Sequence, residues 1–147
     1  MRNGLGSDGD KHHIVNLSTM GNHTTVAATT VQAVFVAPCA CEIIDISLAV
    51  TTAVTAHSTN HWTLAFVNQT GDGNIMSDNF DTDSDNSGNG GRSLTADTLT
   101  SLADDGAGTN YLQNAVLAKG DVIVLTLTKA SSATTLAYPQ LVVHWRP

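Results

Sequence analysis

The stretch Ile44-Asp45-Ile46-Ser47-Leu48-Ala49-Val50 alternates apolar side chains with polar or small ones. Successive side chains on a β-strand point to opposite faces, whereas an amphipathic helix groups its apolar residues three and four apart. The stretch therefore predicts a strand with Ile44, Ile46, Leu48 and Val50 on one face and Asp45, Ser47 and Ala49 on the other. The same period recurs along the chain. Val31, Ala33 and Phe35 alternate with Gln32, Val34 and Val36, and Trp62, Leu64 and Phe66 with His61, Thr63 and Ala65. Ile123, Leu125 and Leu127 alternate with Val124, Thr126 and Thr128, and Leu141, Val143 and Trp145 with Val142 and His144. Shorter runs at 14–17, 24–30 and 111–117 fit further strands, while 94–102 fits either a short helix or a strand. Breaks rich in turn-forming residues follow at 55–60, 68–74, 104–110, 119–121 and 130–135.

About eight short strands with no long helical pattern predict an all-β chain, an antiparallel β-sandwich. Some connections are long, 68–93 most of all, which favours a jelly-roll-like path over a simple meander. Residues 1–13 are rich in Gly, Asp and His without periodicity and read as a flexible N-terminal arm; 14–147 read as a single β-sandwich domain. Scaling of surface with mass allows roughly two-thirds of the chain's surface to be buried, so a core can form without disulfides or metal. The composition agrees, with 41% hydrophobic residues, 13% charged and 5% aromatic among 147. A single glutamate, Glu42, and few lysines argue against helical bundles.

The formal charge of −7 comes from 13 acidic and 6 basic side chains. The basic residues Arg2, Lys11, Arg92, Lys119, Lys129 and Arg146 are scattered, so no patch is expected that would hold nucleic acid or an anionic membrane. The longest apolar run, 33–41, contains Pro38 and is far shorter than the about 20 residues a membrane helix needs. The first residues lack the apolar core of a signal peptide, so synthesis in a cytoplasm without export is expected. Cys39 and Cys41 would share one side of a strand, where a bridge is difficult, and read as reduced thiols used in packing.

Asp81-Thr82-Asp83-Ser84-Asp85 opens like a calcium loop, and alternate carboxylates suit a hard cation. The pattern then fails, with Asn86 where glycine is needed and Arg92 where a bidentate glutamate is needed. Asp81, Asp83 and Asp85 are the candidate calcium ligands, against the plainer reading of a solvated acidic loop; no other cofactor is implied. Gly4-Leu5-Gly6-Ser7-Asp8-Gly9 has the spacing of a phosphate loop but no strand before it or helix after it. His57 and His61 stand four apart but in a turn entering a strand, and His12-His13 read as part of a polar tail. There is no G-x-S-x-G, and the aspartates cluster in loops rather than facing one another across a cleft. No catalytic residues are assigned, and the chain is not expected to be an enzyme. Lys119-Gly120-Asp121 reads as a turn between strands.

Several segments resemble small virion proteins of tailed bacteriophages. They are Val34-Phe35-Val36-Ala37-Pro38 followed by 43–48; the run 60–71, with Trp62, Leu64, Phe66, Asn68 and Gly71; Ala118-Lys119-Gly120-Asp121 leading into 122–125; and Tyr138-Pro139 with Leu141-Val142-Val143. The resemblance implies a jelly-roll-like capsid decoration or cement protein, made in the host cytoplasm and seated on the outer capsid surface of the virion. It implies a homo-oligomer, a trimer, with the major capsid protein of a phage as partner. The acidic segment 72–93 departs from the compact turn expected there. A sandwich has edge strands that must be paired or covered, which a cyclic oligomer does. The alternative is a phage receptor- or glycan-binding module of a fibre or tail tip, because sandwich ends carry ligand loops.

Overall fold

The computed structural model describes residues 9–17, 28–71, 73–85, 91–103 and 111–147. Ten strands and no helix are found among them: β1 (Lys11–Asn16), β2 (Ala28–Val36), β3 (Cys41–Ala49), β4 (Trp62–Asn68), β5 (Gly73–Asn74), β6 (Phe80–Asp81), β7 (Thr100–Ser101), β8 (Val116–Leu117), β9 (Val122–Lys129) and β10 (Gln140–Arg146). They form two antiparallel sheets. Sheet A runs β1-β10-β3-β7 with β8 also on β3, and sheet B runs β2-β9-β4-β5 with β6 also on β4. The four long strands β1 to β4 alternate between the sheets, and β9 and β10 return to slot between β2 and β4 and between β1 and β3. This is the winding of a jelly roll.

The alternating runs fill the space between the sheets. Trp62, Leu64 and Phe66 of β4 and Ile123, Leu125 and Leu127 of β9 are buried, as are Leu141 and Val143 of β10. Their neighbours Thr63, Ala65, Val67, Val124, Thr126 and Thr128 are half-buried on the outer side. Trp62 also anchors the 130–139 connection, its indole N–H donating to the Thr134 carbonyl at 2.7 Å.

Two expected faces are corrected by β-bulges, each adding one residue and reversing the alternation beyond it. On β3, His144 pairs with Asp45 but Trp145 pairs with Ile43, so Ile44 is the extra residue. Ile43 therefore enters the core beside Ile46 and Leu48, and Ile44 is only half-buried. On β2, Ala33 pairs with Val124 and Phe35 with Ile123, leaving Val34 as the extra residue. Val34 and Phe35 are both buried, while Val31 is 62% exposed rather than sharing a face with Phe35.

Other boundaries shift. Lys11, His12 and His13, expected in the arm, belong to β1; residues 1–8 of that arm lie outside the described residues. The ambiguous 94–102 segment is extended, with Leu94 bridging Val54, Ala96 bridging Val50, and β7 pairing with β3. The long 68–93 connection carries β5 and β6 as two broken pieces beside β4 and contributes Ile75, Met76 and Phe80 to the core. Of 111–117, only Val116 and Leu117 form a strand. The turn expected at 104–110 lies outside the described residues.

The bulge on β3 yields a sharp test. Ile43→Ala should cost about 2–5 kcal/mol in denaturant unfolding, the usual range for emptying a core site. Ile44→Ala should cost less than half of that. The reverse ranking would place the unbroken alternation, and not the bulge, in the folded chain.

Candidate functional site

Three places bring polar or apolar groups together in ways that bear on function. The first is the end of the sandwich formed by 50–61, 82–85, 91–99 and 130–139. Backbone bonds stitch it together: His57 N–H to the Thr82 carbonyl at 2.8 Å, Ala130 N–H to the His61 carbonyl at 2.9 Å, and Thr51 N–H to the Ala137 carbonyl at 3.0 Å. The candidate calcium ligands lie here but do not converge. Asp81 Oδ1 accepts the Asp83 N–H, and Asp83 Oδ1 accepts the Asp85 N–H, both at 3.0 Å, so these carboxylates shape consecutive turns of their own loop. Asp83 Oδ2 sits 3.7 Å from His61 Nδ1. His57 Nδ1 accepts the N–H groups of Thr59 and Asn60, which engages it in a turn rather than beside His61. Among the described residues no three His, Cys, Asp or Glu side chains are grouped as metal ligands. Gly91 is required by the close approach of this loop to itself: its φ is +47°, and a Cβ would lie 2.4 Å from the Ser84 Cα.

The second place is the opposite end. Asn68 Nδ2 donates to Asp121 Oδ2 at 3.0 Å, the same oxygen accepts the Ala118 N–H at 3.0 Å, and Asn68 Oδ1 accepts the N–H groups of Thr70 and Gly71. Gly120, at φ +91°, closes the 118–121 turn, and its N–H donates to the Ala37 carbonyl at 2.8 Å. Two segments that carry the resemblance, 60–71 and 118–125, thus meet through one buried amide and one buried carboxylate. Both groups were read from the sequence only as turn residues. Cys41 lies on β3 and Cys39 in the bend before it, not on a shared strand, and both thiols are free. Burial pushes the Cys41 thiol above its ordinary pKa, with Cys39 and the Asp121 carboxylate adding to the rise.

The third place is a cluster on sheet A that sequence reading did not anticipate. Asp45 Oδ1 accepts the Ser101 hydroxyl at 2.6 Å, Asp45 Oδ2 accepts the Ser47 hydroxyl, and His144 Nε2 stands 4.0 Å from that carboxylate. The His12 ring meets His144 edge-on at 4.5 Å. The pairing of β3 with β7 and β10 brings these residues together, and no spacing along the chain signals it. Both hydroxyls donate to the carboxylate and neither to the imidazole, so the cluster lacks the nucleophile–base contact of a serine hydrolase.

The described cations are dispersed. Arg92 donates inward to the carbonyls of Ser101 and Leu102, Lys129 is buried over the Trp62 ring, and Arg146 pairs with Glu42. A groove of about 240 Å³ between β1 and β2 is lined by His13, Val15, Ala33, Val34, Phe35 and Val36. No protein-family model matches the chain, and no curated protein matches it.

Two outcomes follow from the Asn68–Asp121 end. Asp121→Ala strands the Asn68 amide and the Ala118 N–H, and should lower unfolding free energy by about 2–3 kcal/mol. The folded Cys41 thiol keeps its proton to higher pH than the unfolded chain's thiol. Its contribution is therefore full below the unfolded value of about 8.5 and is lost as pH rises through the higher folded value. Denaturation midpoints should fall across this alkaline range, and Cys41→Ala should flatten the decline; an unchanged slope in that variant would assign the decline to other groups.

Proposed function

We propose that the chain is a structural virion protein, a jelly-roll subunit that coats the outside of an assembled phage capsid as a decoration or cement protein. It works as a homo-oligomer, a trimer, and its partner is the phage's major capsid protein. The observation that carries this reading is where the resembling segments fall. Residues 34–38 lie on β2 and the turn after it, 43–48 on β3, 60–71 on β4 and its flanking turns, 118–125 on the 118–121 turn and the start of β9, and 138–143 on the start of β10 and the two residues before it. They are the framework of the sandwich, and Asn68 and Asp121 tie two of them together.

The physics of the surface supports the same reading. An acidic protein whose cations are dispersed, with Arg92 and Lys129 engaged inside the fold, is not drawn to packaged DNA or to an anionic membrane. A subunit that binds only the assembled shell stabilises it by mass action, without any reaction. Synthesis in the host cytoplasm and a final place on the outer capsid surface belong to this proposal.

The receptor- or glycan-binding reading draws on one observation. Tyr138 is 72% exposed and held at φ +48°, a left-handed conformation uncommon for a bulky residue. It lies in the 130–139 connection, where a ligand-binding aromatic would be displayed. Trp62 is wholly buried and Trp145 packs partly against the core, so neither serves as a sugar platform.

Co-sedimentation separates these readings. Purified chain mixed with phage capsids stripped of it should pellet saturably and raise the temperature at which the shells open. Failure to pellet, together with adsorption to whole cells that Tyr138→Ala abolishes, would replace the capsid reading with the receptor one.

A further inference from the structure

We propose that residues 11–14, the first part of β1, form a pH-sensitive latch that lies on β10 at neutral pH and is released in acid, when His12 and His144 both carry a proton. The device belongs to the single subunit, whatever the chain binds.

β1 pairs with β10 in a register that sets His12 directly opposite His144, with ring centroids 4.5 Å apart. On the other side of β10, His144 is opposite Asp45 of β3. His144 Nε2 is buried without a hydrogen-bond partner and stands 4.0 Å from Asp45 Oδ2. A first proton on His144 is therefore matched by the Asp45 carboxylate, and both of these groups stay in place when β1 leaves. A second proton, on His12, sets two like charges side by side, and like charges directly opposite one another destabilise a strand pair. Imidazole is the side chain that gains charge between pH 8 and 5. Moving β1 into solvent carries the His12 charge away from His144. Proton uptake therefore favours release, and docking weakens as pH falls.

The other charges around the pair leave that balance in place. Lys11 is turned onto the Trp145 ring and His13 onto the Phe35 ring, on the face of β1 opposite His12. Arg146 donates to Glu42, and Asp10 is exposed ahead of β1. β7 and β8 bring no titratable side chain. Asp45 attracts a charged His12 only from the strand beyond β10, about 10 Å away at twice the strand spacing, so the nearer His144 prevails. Burial holds the far end of β1 more firmly than its start. Residues 11–14 are exposed, whereas Val15 packs partly against the core. Leu17 is wholly buried, and its N–H donates to the Pro139 carbonyl at 2.9 Å. Opening therefore runs through 11–14 and stops at Val15, where local stability rises.

The test is amide exchange by nuclear magnetic resonance on the full chain at low salt, corrected for the intrinsic pH dependence of exchange. Between pH 7.5 and 5.0 the paired amides of residues 11–14 should lose about fivefold in protection, the factor that two unit charges 4.5 Å apart give in water, while those of 122–128 keep theirs. His12→Gln and His144→Gln should each abolish the change, and His13→Gln should preserve it. His12 is exposed, so His12→Gln carries the test should His144→Gln fail to fold. Amides 11–14 equally protected at both pH values, or unprotected at both, would overturn the inference. So would a loss that persists in folded His12→Gln or His144→Gln protein, one that His13→Gln removes, or one that 122–128 share.

Discussion

The layer formed by β4 and β9 at the middle of sheet B is the part on which the rest of the fold depends. Trp62, Leu64 and Phe66 face the same core as Ile123, Leu125 and Leu127, and their register is continuous over seven pairs from Trp62–Lys129 to Asn68–Ile123. A slip of one residue by either strand of this pair would turn its three large apolar side chains to the outside, so the register is held by the hydrophobic effect itself. Both ends of the pair are then secured by polar contacts. At one end Trp62 donates from its backbone to Thr82 Oγ1 and from its indole to Thr134; at the other, Asn68 binds Asp121. The connections therefore hang on the central layer rather than on one another.

This arrangement gives several of the conspicuous polar residues structural contacts. Several side chains that looked like ligands along the chain have local work in the fold: Asp81 and Asp83 shape turns and His57 caps one, while Asp121, read as a turn residue, joins two connections. Buried or half-buried polar atoms need partners, and in a sandwich with short connections the nearest partners are backbone groups of neighbouring turns. The surface that remains is sparing in charge, which suits a protein whose proposed work is contact with copies of itself and with a larger shell.

Much of the fold was legible because a half-buried strand writes its own period into the chain. The runs at 62–66, 123–128 and 141–145 have the faces their alternation implies. The places where reading failed have separate causes. Ile44 and Val34 are bulge residues, and nothing local distinguishes a strand that carries one extra residue from a strand that does not. β5 and β6 are too short and too interrupted by Asp, Asn and Gly to show any period, although Ile75 and Phe80 between and within them are wholly buried. The Asp45, Ser47, Ser101 and His144 cluster draws on three strands separated widely along the chain, so only pairing reveals it.

The amino-acid order alone determined that this chain is all-β, where most of its long strands lie, and that it is acidic, with a formal charge of −7. Those properties follow from side-chain period and composition, which are local or additive. Tertiary structure alone decided which strands are edges, on which side of the sandwich β1 and β2 come together, and which carboxylates are engaged by turns. These depend on contacts between residues far apart in the chain, where the energy of burying one face selects a single winding among many that the same strands could adopt.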